Sequence, residues 1–120
     1  MIDLGISFPD ESLPGVDVVL PDLSFIETRK NKLEALILTH AHEDHFGAIP
    51  YLWERLQVPV YGTAFTLALL RRKLSEARID VSIPLHELQY NVDYQFGPFS
   101  IELVSLTHSI PDPAALVLRT

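Results

Sequence analysis

Directly after the apolar run Ala35-Leu36-Ile37-Leu38 the chain reads Thr39-His40-Ala41-His42-Glu43-Asp44-His45, and this junction constrains the fold more than any other stretch. The apolar run is too short for a helix. Because it does not alternate with polar residues, it predicts a strand over Leu33 to Thr39 that is buried on both faces. Such strands belong to layered α/β folds, where ligands collect beyond the carboxyl ends of the strands. His40, His42, Asp44 and His45 stand at that end. Residues two apart in an extended segment project to the same side, so His40 and His42 can approach one ion together. Asp44 and His45, at the turn into the next helix, can point toward a second ion. With no cysteine in the chain, any metal must be held by imidazole and carboxylate. Zinc is the default for that donor set, and manganese is also admitted. Taken singly, each histidine would be an ordinary loop residue; together, behind a buried strand, they point to a metal. A purely structural zinc site would prefer a closed, cysteine-rich shell.

The rest of the chain is punctuated by turns and has no repeat or low-complexity linker. Pro9, Pro14-Gly15 and Pro21 cut the first third into short pieces, leaving Val16 to Leu20 as a predicted strand. Asp22 or Ser24 would cap a helix running to about Lys32, with Phe25 and Ile26 facing inward. Phe46, Ile49, Leu52, Trp53 and Leu56 have the spacing of an amphipathic helix, with Pro50 tolerable in its first turn. Val58 to Tyr61 is a short predicted strand, and Thr63 caps a helix through Ala77 whose buried stripe is Leu67, Leu70 and Leu74. Arg71, Arg72 and Lys73 sit near its C-terminal end, complementing the helix dipole from a solvated face. The last third predicts strands over Val81 to Leu85, Val92 to Phe96, Phe99 to Leu106 and Ala114 to Arg119. Met1 to Gly5 reads as the end of a strand, and the chain stops within Leu116-Val117-Leu118, so both ends look cut.

Composition sets outer limits. At 120 residues, with 48% hydrophobic and 21% charged, the chain can hold one domain core at most. Lys and Arg total 9 against 16 Asp and Glu, a formal charge of −7, and no basic run is long enough to bind phosphates along a face. No signal-peptide pattern is present and the apolar runs fall far short of a membrane span, so a soluble, cytoplasmic protein is expected.

The stretch Thr39 to His45 carries His-x-His-x-Asp-His and resembles the metallo-β-lactamase superfamily. That resemblance implies an α/β fold, the αββα four-layer sandwich, of which this chain would be the first half. It implies that Asp3 corresponds to an acidic residue that braces the metal loop without binding metal. It also implies that His108, in Leu106-Thr107-His108-Ser109-Ile110-Pro111-Asp112, completes a set of three histidines with His40 and His42. The flanking text, Asp3-Leu4-Gly5-Ile6-Ser7-Phe8-Pro9-Asp10, Pro14-Gly15-Val16-Asp17, Leu20-Pro21-Asp22 and Pro50-Tyr51-Leu52, is similar to the ribonuclease J family of the β-CASP group.

The family resemblance implies metal-dependent cleavage of RNA, 5′-to-3′ exonucleolytic with endonucleolytic capacity, in RNA processing and turnover. Two zinc ions per complete site would activate a shared hydroxide and offset charge on the phosphoryl oxygens. His40, His42 and His108 are assigned to one ion and Asp44 and His45 to the other, with Asp44 also catalytic as the group that orients or deprotonates water. The bridging aspartate, the β-CASP insertion and a later histidine are expected beyond Thr120, so the chain alone would be inactive. RNA is the expected partner of a homo-oligomeric full-length enzyme, with other RNA-processing proteins alongside. The acidic charge does not oppose this, since divalent ions add positive charge at the site. The rival readings are a thioesterase or lactonase of the same fold and a non-catalytic module; intact His40, His42, Asp44, His45 and His108 weigh against the latter. His86 is expected to be structural or exposed, Trp53 to be core, and Thr107 and Ser109 to serve turn hydrogen bonds in preference to contacting phosphate or the metal shell.

Overall fold

A computed structural model of the chain describes residues 1–79, 82–107, 109 and 111–120. The described residues form two sheets. In the first, β1 (Leu36–Ile37), β2 (Val60–Gly62) and β3 (Leu85–Glu87) run parallel in the order β1-β2-β3. In the second, β4 (Asp93–Phe96), β5 (Phe99–Ser105) and β6 (Ala114–Arg119) form an antiparallel meander. Parallel neighbours need crossover connections, and helices supply the first two. The β1 to β2 connection contains α2 (Glu43–Phe46) and α3 (Ile49–Leu56), and the β2 to β3 connection contains α4 (Ala64–Glu76). A further short helix, α1 (Ser24–Glu27), precedes the sheet.

The expectation of a strand covered on both faces is met, although β1 spans Leu36–Ile37 where Leu33 to Thr39 is expected, and the core shows why. Leu36 and Leu38 belong to one buried cluster, with Leu52, Trp53 and Leu56 of α3 and Leu67, Leu70 and Leu74 of α4. Ala35 and Ile37 belong to another, with Ile101 and Leu103 of β5 and Ala114 of β6. Successive residues of a strand face opposite ways, so each side of β1 meets a different apolar layer. Helices, parallel sheet and antiparallel sheet therefore stack as three layers, the order that an αββα sandwich requires. The parallel sheet is the central one of the three.

Local signals account for most boundaries. The Thr63 side chain accepts from the backbone N–H of Thr66 and starts α4, while Gln57 ends α3 in the left-handed region at φ 52°. Trp53 is core, its indole Nε1 donating to the Val58 carbonyl at 2.7 Å.

Several expectations need correction. Val16 to Leu20 is not a strand: only Val19 pairs, with Ser7, and Val16, Val19 and Leu20 remain exposed because no layer covers them. The helix expected up to Lys32 is a four-residue α1 followed by a 3-10 turn at Lys30–Lys32. Phe25 faces water at 70% exposure, where the Arg29 guanidinium lies 4.0 Å from its ring centroid. Asp22 does take the Ser24 N–H, at 2.9 Å, although the residue at the helix boundary is Leu23. The strand expected over Val81 to Leu85 is displaced to Leu85–Glu87. Proline lacks the N–H a ladder needs, so Pro84 contributes only its carbonyl, to Val60 N at 2.8 Å; Val81 lies outside the described residues.

Candidate metal centre

His40 and His42 lie just past the carboxyl end of β1, beyond a bend at Thr39, and His42 is itself extended, φ −81° and ψ 148°, before α2 begins. The two rings come together: His40 Nε2 and His42 Nδ1 are 3.1 Å apart. On the first turn of α2, Asp44 Oδ2 lies 3.5 Å from His45 Nε2. The His40 and His45 ring centroids are 4.0 Å apart, so the two pairs are adjacent.

One carboxylate organises both. Asp3 Oδ2 accepts from His45 Nδ1 at 2.8 Å and from the Thr39 hydroxyl at 2.8 Å, while Asp3 Oδ1 accepts the Thr39 backbone N–H, also at 2.8 Å. With its Nδ1 hydrogen committed to a carboxylate, neutral His45 presents Nε2 as a lone pair toward Asp44. Asp3 adopts φ 56°, a left-handed conformation that costs a non-glycine residue about 1–3 kcal/mol unless its surroundings enforce it. Its backbone N–H is tied to the Ile37 carbonyl at 2.9 Å. The strain is compensated by bonds that aim the carboxylate at the loop of residues 39–45.

The segment after Asp3 lies against α2. Leu4 N donates to the His45 carbonyl at 2.7 Å, Ile6 N to the Glu43 carbonyl at 3.0 Å, and Ala48 N to the Leu4 carbonyl at 3.0 Å. Gly5 permits this approach, since a Cβ there would stand 1.8 Å from the Asp44 carbonyl oxygen. From the other side, Lys73 Nζ of α4 contacts both Glu43 carboxylate oxygens at 2.8 Å. Lys73 thus braces the loop of residues 39–45 through Glu43, where a solvated face was expected for Arg71, Arg72 and Lys73; Arg72 pairs with Glu76 within α4.

The loop between β5 and β6 also reaches this end of β1. Ala114 N donates to the Thr39 carbonyl at 3.0 Å and Leu106 N to the Pro113 carbonyl at 3.3 Å. The Tyr90 hydroxyl donates to the Pro113 carbonyl at 3.2 Å, and burial, with the Asp112 carboxylate second, pushes its pKa up, which preserves it as a donor. Ser109 Oγ lies 3.5 Å from His42 Nε2, a contact with an imidazole where turn bonding is the favoured expectation and contact with the metal shell the alternative. His108 lies outside the described residues. His86 is away from the site, stacked on Tyr61 at 4.9 Å.

These donors fit a divalent ion in part. Ligand atoms at roughly 2.0–2.2 Å from a tetrahedral ion stand about 3.3–3.6 Å from each other, close to the 3.1 Å and 3.5 Å of the two pairs. Among the described residues no three His, Cys, Asp or Glu are grouped to hold one ion. Each pair is thus two points of a shell that needs a third. Asp44 has a side chain 70% exposed against 18% for Asp3, so the exposed carboxylate is accessible to substrate while the sheltered one is occupied with orientation.

The layered α/β arrangement agrees with what comparison with known proteins finds. The chain belongs to the β-lactamase superfamily domain family, whose profile matches residues 10–119. Over its whole length it is similar to ribonuclease J of Sinorhizobium meliloti, at 47% identity over 120 residues, and to ribonuclease J 1 of Streptococcus pyogenes, at 38% over 120 residues. The chain spans 21% of the length of each of those relatives. Among solved structures it is similar to the metallo-β-lactamase fold protein YhfI from Bacillus subtilis, at 19% identity and a TM-score of 0.61, covering 98% of this chain and 56% of that one. No described helix is long and apolar enough to cross a membrane.

Proposed function

We propose that this chain carries one side of the metal centre of a cytoplasmic ribonuclease that hydrolyses RNA phosphodiesters 5′-to-3′ and also cuts internally. The observation that carries this reading is the arrangement of two donor pairs around one Asp3 carboxylate, in a chain 47% identical to a ribonuclease J. His40 Nε2 and His42 Nδ1 would hold one ion with His108 as third donor, and His45 Nε2 and Asp44 would hold a second. The remaining donors, a bridging aspartate and a later histidine, are assigned to the rest of such a protein, as are its RNA-gripping β-CASP insertion and its subunit contacts. When bound, zinc or manganese there would make water nucleophilic at neutral pH and counter charge on the phosphoryl oxygens. The chain's own residues do the remainder. Asp3 fixes the ring orientation of His45, and through Thr39 it reaches His40. The Asp44 side chain is 70% exposed, so a carboxylate there can accept a hydrogen bond or a proton from attacking water. Gly5 and the Lys73–Glu43 contact hold the loop in register.

The test is metal dependence in the full-length protein. Stripping metal with a chelator is expected to abolish cleavage of a 5′-monophosphorylated RNA, and adding zinc or manganese to restore it. His40→Ala should remove the restored activity, which excludes a contaminating nuclease. Cleavage that survives complete metal removal, or is untouched by His40→Ala, would refute the proposal.

A further inference from the structure

We infer that Thr39 is a positioning residue that sets the protonation pattern of His40 through its hydroxyl. The inference deepens the metal-centre reading and rests on it for its consequence, though not for its geometry. A hydroxyl has one hydrogen and two lone pairs, and an ionised carboxylate only accepts. The Thr39 hydroxyl stands 2.8 Å from Asp3 Oδ2, so its hydrogen is given to Asp3. Its contact with His40 Nδ1 at 2.9 Å must then run the other way, with Nδ1–H donating to Thr39 Oγ1. In a neutral imidazole the proton on Nδ1 leaves Nε2 as the lone pair, and Nε2 is the atom that faces His42 Nδ1 at 3.1 Å. His40 is buried, at 7% exposure, so water cannot readily substitute for the hydroxyl. Asp3 therefore governs two imidazoles, His45 by direct contact and His40 through Thr39. The Thr39 backbone N–H on Asp3 Oδ1 at 2.8 Å keeps the relay in place from a second side.

Two substitutions in the full-length protein separate the hydroxyl from the shape of the side chain. Thr39→Val keeps the branched volume and loses the relay; Thr39→Ser keeps the relay and loses a methyl. With zinc alone as the probe, in competition with a chromophoric chelator, Thr39→Val should raise the Kd of the His40 site by roughly 10–100-fold, the usual cost of removing a partner behind a metal-binding histidine. Thr39→Ser should stay within about 3-fold of the parent, well short of that loss. Equal affinity for parent and Thr39→Val, or equal loss in both variants, would overturn the inference. A measurement on the unmutated protein guards against a valine variant that does not fold. With 15N-labelled histidine, metal-free protein should show His40 protonated at Nδ1, and protonation at Nε2 would overturn the inference. If His40 shows the Nδ1–H form and the protein binds no zinc, the relay stands and the metal-centre reading fails.

Discussion

Replacing Asp44 by Asn in the full-length protein is expected to lower RNA cleavage by about 10²–10⁴-fold, the range associated with losing a positioned acid or base, without disturbing the fold. The amide nearly reproduces the shape of the carboxylate but carries no charge and accepts no proton. Asp44 is on the first turn of α2, with its side chain 70% exposed, so no core packing depends on it. What changes is the pair it makes with His45 Nε2 at 3.5 Å, one half of the second proposed ion site. Cleavage rate, metal content and circular dichroism measured together decide the matter. Near-normal turnover by an Asp44→Asn protein with verified metal content would remove Asp44 from the mechanism.

Gly5→Ala is expected to be more damaging than its single added methyl suggests. The new Cβ would stand 1.8 Å from the Asp44 carbonyl oxygen, 2.0 Å from its carbon and 2.6 Å from His45 N. All three are backbone atoms of the loop that bears the proposed ligands, so no side chain can swing aside. The N-terminal segment must lift, weakening the bonds from Leu4 N to His45 and from Ile6 N to Glu43. Overpacking costs about 1–3 kcal/mol and each of the two weakened hydrogen bonds about 0.5–1.5 kcal/mol, so a loss of about 2–6 kcal/mol is expected. Asp3 moves with the segment, so zinc affinity should fall as well. Denaturant unfolding and zinc titration read both effects. A Gly5→Ala protein with unchanged stability and zinc affinity would show that the close approach does not hold the loop.

The parts of this molecule legible in the sequence are those whose cause is local. Four consecutive apolar residues ahead of a histidine cluster reveal a strand covered on both sides, and the core bears this out: Leu36 and Leu38 face the helices while Ala35 and Ile37 face the second sheet. Thr63, a cap with leucines at helical spacing behind it, marks α4 to within a residue or two. Turn signals at Gly97-Pro98 likewise locate β4 and β5. Legibility fails where a segment's state depends on what covers it. Val16 to Leu20 has strand composition but only a single bridge for support, and Phe25 faces water where a covered helix face was expected. The Lys73–Glu43 contact joins residues 30 apart, and no local pattern announces it. Thr39 was visible as the neighbour of His40, but its part in a relay appears only once Asp3, far away in the chain, is seen against it.

The central claim is that the two donor pairs around Asp3 hold metal ions. It is tested most directly by anomalous diffraction at the zinc edge from crystals of the full-length protein. The account predicts one peak at roughly 2.0–2.2 Å from both His40 Nε2 and His42 Nδ1, and a second at the same distance from His45 Nε2 and an Asp44 oxygen. Zinc-loaded crystals with no peak at these atoms, or with peaks only elsewhere on the protein, would contradict it.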